Sequence, residues 1–322
     1  MSRFQFRPEH YLLVVAVVTC AFLGIIGGLL IQQNNNGRLP PIPLTGNISF
    51  DEKLEWLWKR GPRNWDVLAA GSSMTLNNLY SEGVINELSA GTSYVNSASW
   101  SLKIGDTRKF VDYLCALQQP KSVIVICGPM DFYGKNSVEF IQTNNLNFYR
   151  ATTNYGLLAA QYFDPIYYYK HSQEIREQRR TRASYRTLMF DSGGGVPMDV
   201  SYPSIDSERW NEKPRPELID PAQYIEFERL AVMLEARQIR FICAQSPIRS
   251  DAYDASDTVA LDRHWQRLSD ILKAHGFPFY NIHRSLSLGP ESFADYSHLN
   301  ADGARQFTAA LVEQARANIR SQ

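Results

Sequence analysis

The stretch Asp66-Val67-Leu68-Ala69-Ala70-Gly71-Ser72-Ser73-Met74-Thr75-Leu76 sets the fold class of this chain. A short uncharged run suited to a buried strand enters a Gly-Ser-Ser turn, and helix-forming residues follow. Strand, tight turn and helix in that order open a unit of a parallel sheet covered by helices.

The same alternation continues outward. After the strand Val67–Ala70 a helix is expected over about Asn78–Leu88. Tyr94-Val95-Asn96 reads as a second strand, with a helix near Thr107–Gln118. Ser122–Cys127 is uncharged and mostly β-branched, and Gly128-Pro129 ends it, so it is the clearest strand. The helix Pro221–Arg237 has Asp220 as N-cap and Pro221 at its first position. It leads to the strand Arg240–Ala244. A helix over Thr258–His275 then feeds Phe277–Tyr280, and Ala301–Ile319 is the last helix. The expected class is α/β, a three-layer fold with a parallel sheet.

Between about residues 133 and 219 the alternation fails. This insertion carries aromatics (Tyr162, Phe163, Tyr167, Tyr168, Tyr169), a basic run (Arg176, Arg179, Arg180, Arg182) and Ser192-Gly193-Gly194-Gly195, read as flexible. It is expected to cap the carboxyl edge of the sheet, where open α/β sheets place their sites. The plainer reading is an amphipathic helical pair with a solvated basic face. The aromatics either line a sugar groove or simply pack. No strand precedes the glycines and no Lys-Ser/Thr follows them, so they are no phosphate loop.

Near the other end stands Asp295-Tyr296-Ser297-His298-Leu299-Asn300. A strand-to-helix turn aims Ser73 into the crevice at the sheet edge, where its own N–H and the following helix favour negative charge. If His298 returns to that edge, the chain holds a hydroxyl, an imidazole to take its proton and, in Asp295, a carboxylate to orient the ring. Ser72 is the competing nucleophile, and Asp131 reads as structural. His171, His264, His275 and His283 have no metal-ligand spacing, nor do the cysteines, so neither metal nor cofactor is expected. Cys127 and Cys243 fall in apolar strand-like runs, Cys115 in a helical one and Cys20 in the N-terminal apolar run.

These blocks resemble those of the SGNH (GDSL-type) hydrolase superfamily over most of residues 64–319, the insertion excepted. Gly71-Ser72-Ser73 matches the first block, with Ser73 as nucleophile and Ser72 where Asp is common. Asp295-x-x-His298 matches the last. Asn96-Ser97-Ala98-Ser99-Trp100-Ser101 stands in the place of the second block, whose glycine lends an oxyanion N–H, and Ser101 is nearest that position. The third block, usually Gly-x-Asn-Asp, reads Gly128-Pro129-Met130-Asp131, so Met130 replaces an amide donor. The resemblance implies a flavodoxin-like sheet and an oxyanion hole near Ser73, Ser101 and Met130, with Asn77 or Asn78 as a substitute amide. Losing one such donor typically costs on the order of 10²–10³ in rate.

The N-terminal part adds a location. Tyr11–Ile31 holds roughly 21 residues without a charge, long enough as a helix (~31 Å) to cross a bilayer. Arg3 and Arg7 precede it, so residues 1–31 are expected to be a cytoplasmic N-terminus and transmembrane anchor, with the rest extracytoplasmic. A cleaved signal peptide is the alternative, but the apolar run is long and Gln32–Asn36 offers no small-x-small site. Residues 32–63 read as a linker and lead-in holding the domain, 64–322, off the surface. Acidic and basic residues balance at 33 each, which argues against a nucleic-acid partner. Asn47-Ile48-Ser49 fits a glycosylation sequon that also arises by chance. With the anchor, the SGNH-type blocks resemble extracytoplasmic proteins of teichoic-acid D-alanylation and exopolysaccharide O-acetylation. That implies an acylated donor, a polysaccharide acceptor and a multispanning membrane acyltransferase as partner. The rival expectation is a non-catalytic scaffold, favoured by Met130 and the missing second-block glycine.

Overall fold

The computed structural model describes residues 8–59, 61, 64–88, 93–134, 142–201 and 213–320. The helix α1 (Pro8–Asn35) is followed by α2 (Ile48–Lys59), β1 (Val67–Ala69), α3 (Ser73–Asn78) and α4 (Ser81–Glu87). Next come β2 (Tyr94–Asn96), α5 (Ile104–Leu117) and β3 (Ser122–Cys127), then the insertion helices α6 (Thr143–Ala151), α7 (Tyr155–Tyr162) and α8 (Pro165–Gln178). The chain ends through α9 (Pro221–Ala236), β4 (Arg240–Gln245), α10 (Ala255–Ala274), β5 (Phe279–Tyr280), α11 (Ile282–Ser285) and α12 (Ala301–Arg320).

The five strands form one parallel sheet in the order β2-β1-β3-β4-β5. Alternation along the strands makes two cores. Val123, Val125 and Cys127 face one layer with Phe241 and Cys243, while Ile124, Ile126, Ile242 and Ala244 face the other. Helices α5 and α9 cover the first face, and α3, α4 and α12 meet on the second. Cys115, Cys127 and Cys243 are buried free thiols, and Cys20 is exposed on α1. The strand order reverses between β1 and β3, which opens a crevice at their carboxyl ends.

Several boundaries differ from the sequence reading. The helix expected over 78–88 is two short ones, because Leu79 and Tyr80 are extended and Leu79 turns into the core. Helix α5 starts at Ile104, α10 starts after the N-cap Asp254, and β5 is only two residues long. The segment read as a spacer is packed instead: Pro40, Pro41, Ile42 and Leu44 are buried, and Arg179 donates to the carbonyls of Gly37 and Leu39 at 2.8 Å each. Helix α2 also lies inside it, with Asn47 Oδ1 accepting the N–H groups of Ser49 and Phe50. The Asn47 amide nitrogen donates to the Trp100 carbonyl, so the sequon asparagine is a structural cap.

The ends of the insertion are pinned together by an antiparallel bridge between Tyr133 and Ile219. Past α8 the chain runs along the free edge of β2, where Asn96 N–H donates to Gly193 O, and on to α12, where Ala301 N–H donates to Met198 O. It thereby covers an edge strand. The glycine run is a tight clasp rather than a flexible stretch. Gly194 has φ +89°, and a Cβ there would stand 2.7 Å from both the Trp56 ring and Asn96 O.

Candidate active site

The Gly71 turn is built for close approach. Gly71 has φ +145°, and a Cβ would stand 2.4 Å from Thr75 Oγ1. That hydroxyl contacts the carbonyls of Ala70 and Ile126 and accepts the Ile126 N–H, tying α3 to the ends of β1 and β3. Ser72 caps α3, its Oγ accepting the Met74 N–H at 3.1 Å, and it is 2% exposed. It is therefore no rival nucleophile. Ser73, the first helical residue, is half-buried and faces a cavity of about 280 Å³.

His298 arrives from the far end of the chain on a loop closed by the bridge Phe293–Leu299. Asn78 holds that loop against α3. Its amide nitrogen donates to Ser297 O at 3.0 Å and its Oδ1 accepts the Leu299 N–H at 2.8 Å. The Ser73 hydroxyl lies 2.8 Å from His298 Nε2, and His298 Nδ1 lies 2.7 Å from Asp295 Oδ2. Asp295 Oδ1 accepts the N–H groups of Ser297 and His298 at 2.7 Å each. Burial alone would push this carboxyl up, but His298 and the two N–H groups outweigh it and hold it below its ordinary value. The three residues singled out in the sequence thus form one continuous relay.

Sequence reasoning missed Tyr185. From the insertion, its hydroxyl stands 2.5 Å from His298 Nδ1, and its ring meets the imidazole edge-on at 5.2 Å. Enclosure and the Asp295 charge push this phenol well above its ordinary value, so it stays a donor. With a separation of 113 residues from His298, no local pattern marks it.

The oxyanion candidates fare unequally. Beyond β2, Ser97 N–H donates to Ala69 O and Ser99 N–H to Gly71 O, which lashes the Asn96–Ser101 segment to the serine turn. Ser101 has φ +63°, a conformation glycine adopts freely and other residues hold at a cost of about 1 kcal/mol. Among the described residues, neither Ser73 nor Ser101 donates its backbone N–H within the protein. Both line the cavity, as does Met130. Met130 brings no donor. The cation missed in the sequence is Lys103, which lines the same cavity and donates to Met130 O at 2.7 Å.

The suggested substitute amides are committed elsewhere, Asn77 to Val196 O at 2.9 Å and Asn78 to the histidine loop. Asp131 is buried and accepts the Gly128 N–H at 2.9 Å. Burial raises its carboxyl to about 6 against the pull of Ser72 and Gly128.

Other candidates lie outside the site. Tyr167 and Tyr168 are buried, with the Tyr168 hydroxyl 3.1 Å from that of Tyr155, and none of the insertion's aromatic cluster lines the cavity. Arg179 is forked onto Glu52. His264 is core, His171 and His275 pair with Glu174 and Glu235, and His283 meets Tyr253. Tyr296 packs under Arg249, whereas Trp100 does line the cavity. No protein-family model matches the chain, and no curated protein matches it.

Proposed function

We propose that the chain carries out serine-dependent acyl-ester chemistry, transfer or hydrolysis, with Ser73 as nucleophile, His298 as base and Asp295 as orienter. The observation that carries this reading is the relay of 2.8 Å and 2.7 Å between three buried or half-buried groups at a sheet edge. Neutral His298 takes the hydroxyl proton through Nε2 as Ser73 attacks an acyl carbonyl. The tetrahedral oxygen is then met by the N–H groups of Ser73 and Ser101. The Lys103 ammonium compensates the amide that Met130 lacks. Collapse expels the leaving alcohol, which takes the proton from His298, and an acceptor hydroxyl or water repeats the sequence in reverse.

The cavity, about 280 Å³, suits a small acyl group with part of its carrier. The block pattern supports an SGNH-type enzyme. The helix Pro8–Asn35, long and apolar enough to cross a membrane, supports a single-pass anchor, and Arg3 and Arg7 ahead of it in the sequence favour an extracytoplasmic domain. Together these favour an acylated donor, an exported polysaccharide as acceptor and a multispanning acyltransferase as neighbour. The second reading, a degraded scaffold, draws on Met130 and on Ser101 in place of the second-block glycine.

Treatment of the full chain with a fluorophosphonate decides between them. The enzyme reading expects stoichiometric adduct on Ser73, absent in Ser73→Ala, with an unchanged unfolding curve. No adduct on the wild-type chain leaves the scaffold.

A further inference from the structure

We infer that the insertion seats α7 and the start of α8 in the bilayer interface beside α1, so that the catalytic domain rests on the lipid surface. This rests on the reading of α1 as a membrane anchor. Outside α1 the described residues expose eight large hydrophobic side chains. Four of them, Leu157, Phe163, Ile166 and Tyr169, fall within a single segment spanning the α7–α8 corner. Ile166 and Tyr169 are 76% and 89% exposed and lie one turn apart on α8. The whole of α7 is uncharged.

What covers this face is indicated by α1. Helix α7 packs against α1. On α1, Leu30 and Asn34 are half-buried one turn apart, and Leu30 packs against the domain's larger core. The domain therefore meets α1 at Leu30, next to the end of the apolar run at Ile31. The end of an apolar span lies at the boundary between headgroups and acyl chains, where amphipathic helices seat their apolar face, with aromatic rings at the headgroup level. Arg179 on the two carbonyls past α1, and the buried Pro41 and Ile42, leave no slack that would lift the domain away. A lipid surface continuous with the anchor's own surroundings fits a face adjoining the span.

The test uses the full chain in phosphatidylcholine nanodiscs with nitroxides at native Cys20 and, in a Cys20→Ala background, at Ile166→Cys, Tyr169→Cys and the exposed reference Gln266→Cys. Collision with a water-soluble nickel chelate is compared with collision with oxygen. The expected result is a severalfold loss of nickel access at 166 and 169 relative to 266, with oxygen access raised and Cys20 deep in lipid. If 166 and 169 match 266 while Cys20 stays deep, the inference falls and the anchor stands; a patch reserved for a protein partner gives this same result. If Cys20 itself is nickel-accessible, the anchor reading falls first and takes the inference with it.

Discussion

Asp295 and Asp51 are both buried carboxylates, and they are held in opposite states. Asp295 receives two backbone N–H groups and the imidazole, with Tyr185 alongside, and its carboxyl lies below the ordinary value. Asp51, on α2, receives the N–H and hydroxyl of Thr45 and the N–H of Gly46, with the Glu52 charge nearby. Burial there raises its carboxyl to about 8. Depth is not what separates them, since each is 1% exposed. Each has three donors, so the sign of the neighbouring charge, the His298 imidazole at one and Glu52 at the other, decides which buried carboxylate stays ionised. The catalytic edge keeps Asp295 charged, and the seam between α2 and the insertion suppresses the charge of Asp51 while pairing Glu52 with Arg179. Lys53, fully buried and lowered to about 7 by burial, follows the seam's rule, although it donates to the carbonyls of Asn96 and Gly194.

The largest effect that would break this contrast comes from Asp295→Asn. An amide at that position donates to His298 Nδ1, which forces the proton onto Nε2, facing Ser73. Fluorophosphonate labelling at Ser73 is expected to slow by about 10⁴ with the fold intact. A loss under tenfold would mean that the ionised carboxylate is not what the site relies on.

Tyr185→Phe sharpens the same side. It removes one donor beside a charged carboxylate, an interaction of about 1.5–3 kcal/mol, so acylation is expected to slow by roughly ten- to a hundredfold. Apparent substrate affinity should stay put, because the phenol acts on His298 and Asp295 rather than on the ester. An affinity change with unchanged acylation would place Tyr185 in substrate binding instead.

The two regions were unequally legible before folding. The relay announces itself because each half is a local device: Gly71-Ser72-Ser73 needs its glycine for the turn, and Asp295 reaches His298 within one loop. The central strands are legible for a similar reason, since Ser122–Cys127 has no other way to bury so much β-branched surface. Helix α2 is not. Its sequence ISFDEKLEWLWK alternates charge with bulk and reads as a polar lead-in, yet Asp51, Glu52, Lys53 and Glu55 are all buried under the insertion. Thr45 and Lys59 serve Asp51 and Glu55 locally, but Glu52 and Lys53 depend on Arg179, Asp191 and Gly194, more than a hundred residues away. Tyr185 and Lys103 escape for the same cause, being defined by tertiary neighbours and by no spacing.

A change in stability rather than in rate probes the seam. A carboxyl near 3.8 in the unfolded chain and near 8 in the fold binds more protons when folded across that window. Asp51 therefore makes stability fall as pH rises from about 4 to 8. Lys53, at about 7 folded against 10.5 unfolded, binds fewer protons when folded, so its contribution rises with pH from about 7 to 10.5. These two groups alone place a stability minimum between pH 7 and 8. Asp51→Asn keeps an acceptor for Thr45 but cannot ionise, so it should remove the falling limb and leave the rising one. Melting temperatures of the two proteins should coincide below pH 4 and diverge in favour of Asn towards pH 8. If the difference stays constant over that range, Asp51 is ionised like Asp295, and the seam keeps its charges by the same means as the catalytic edge.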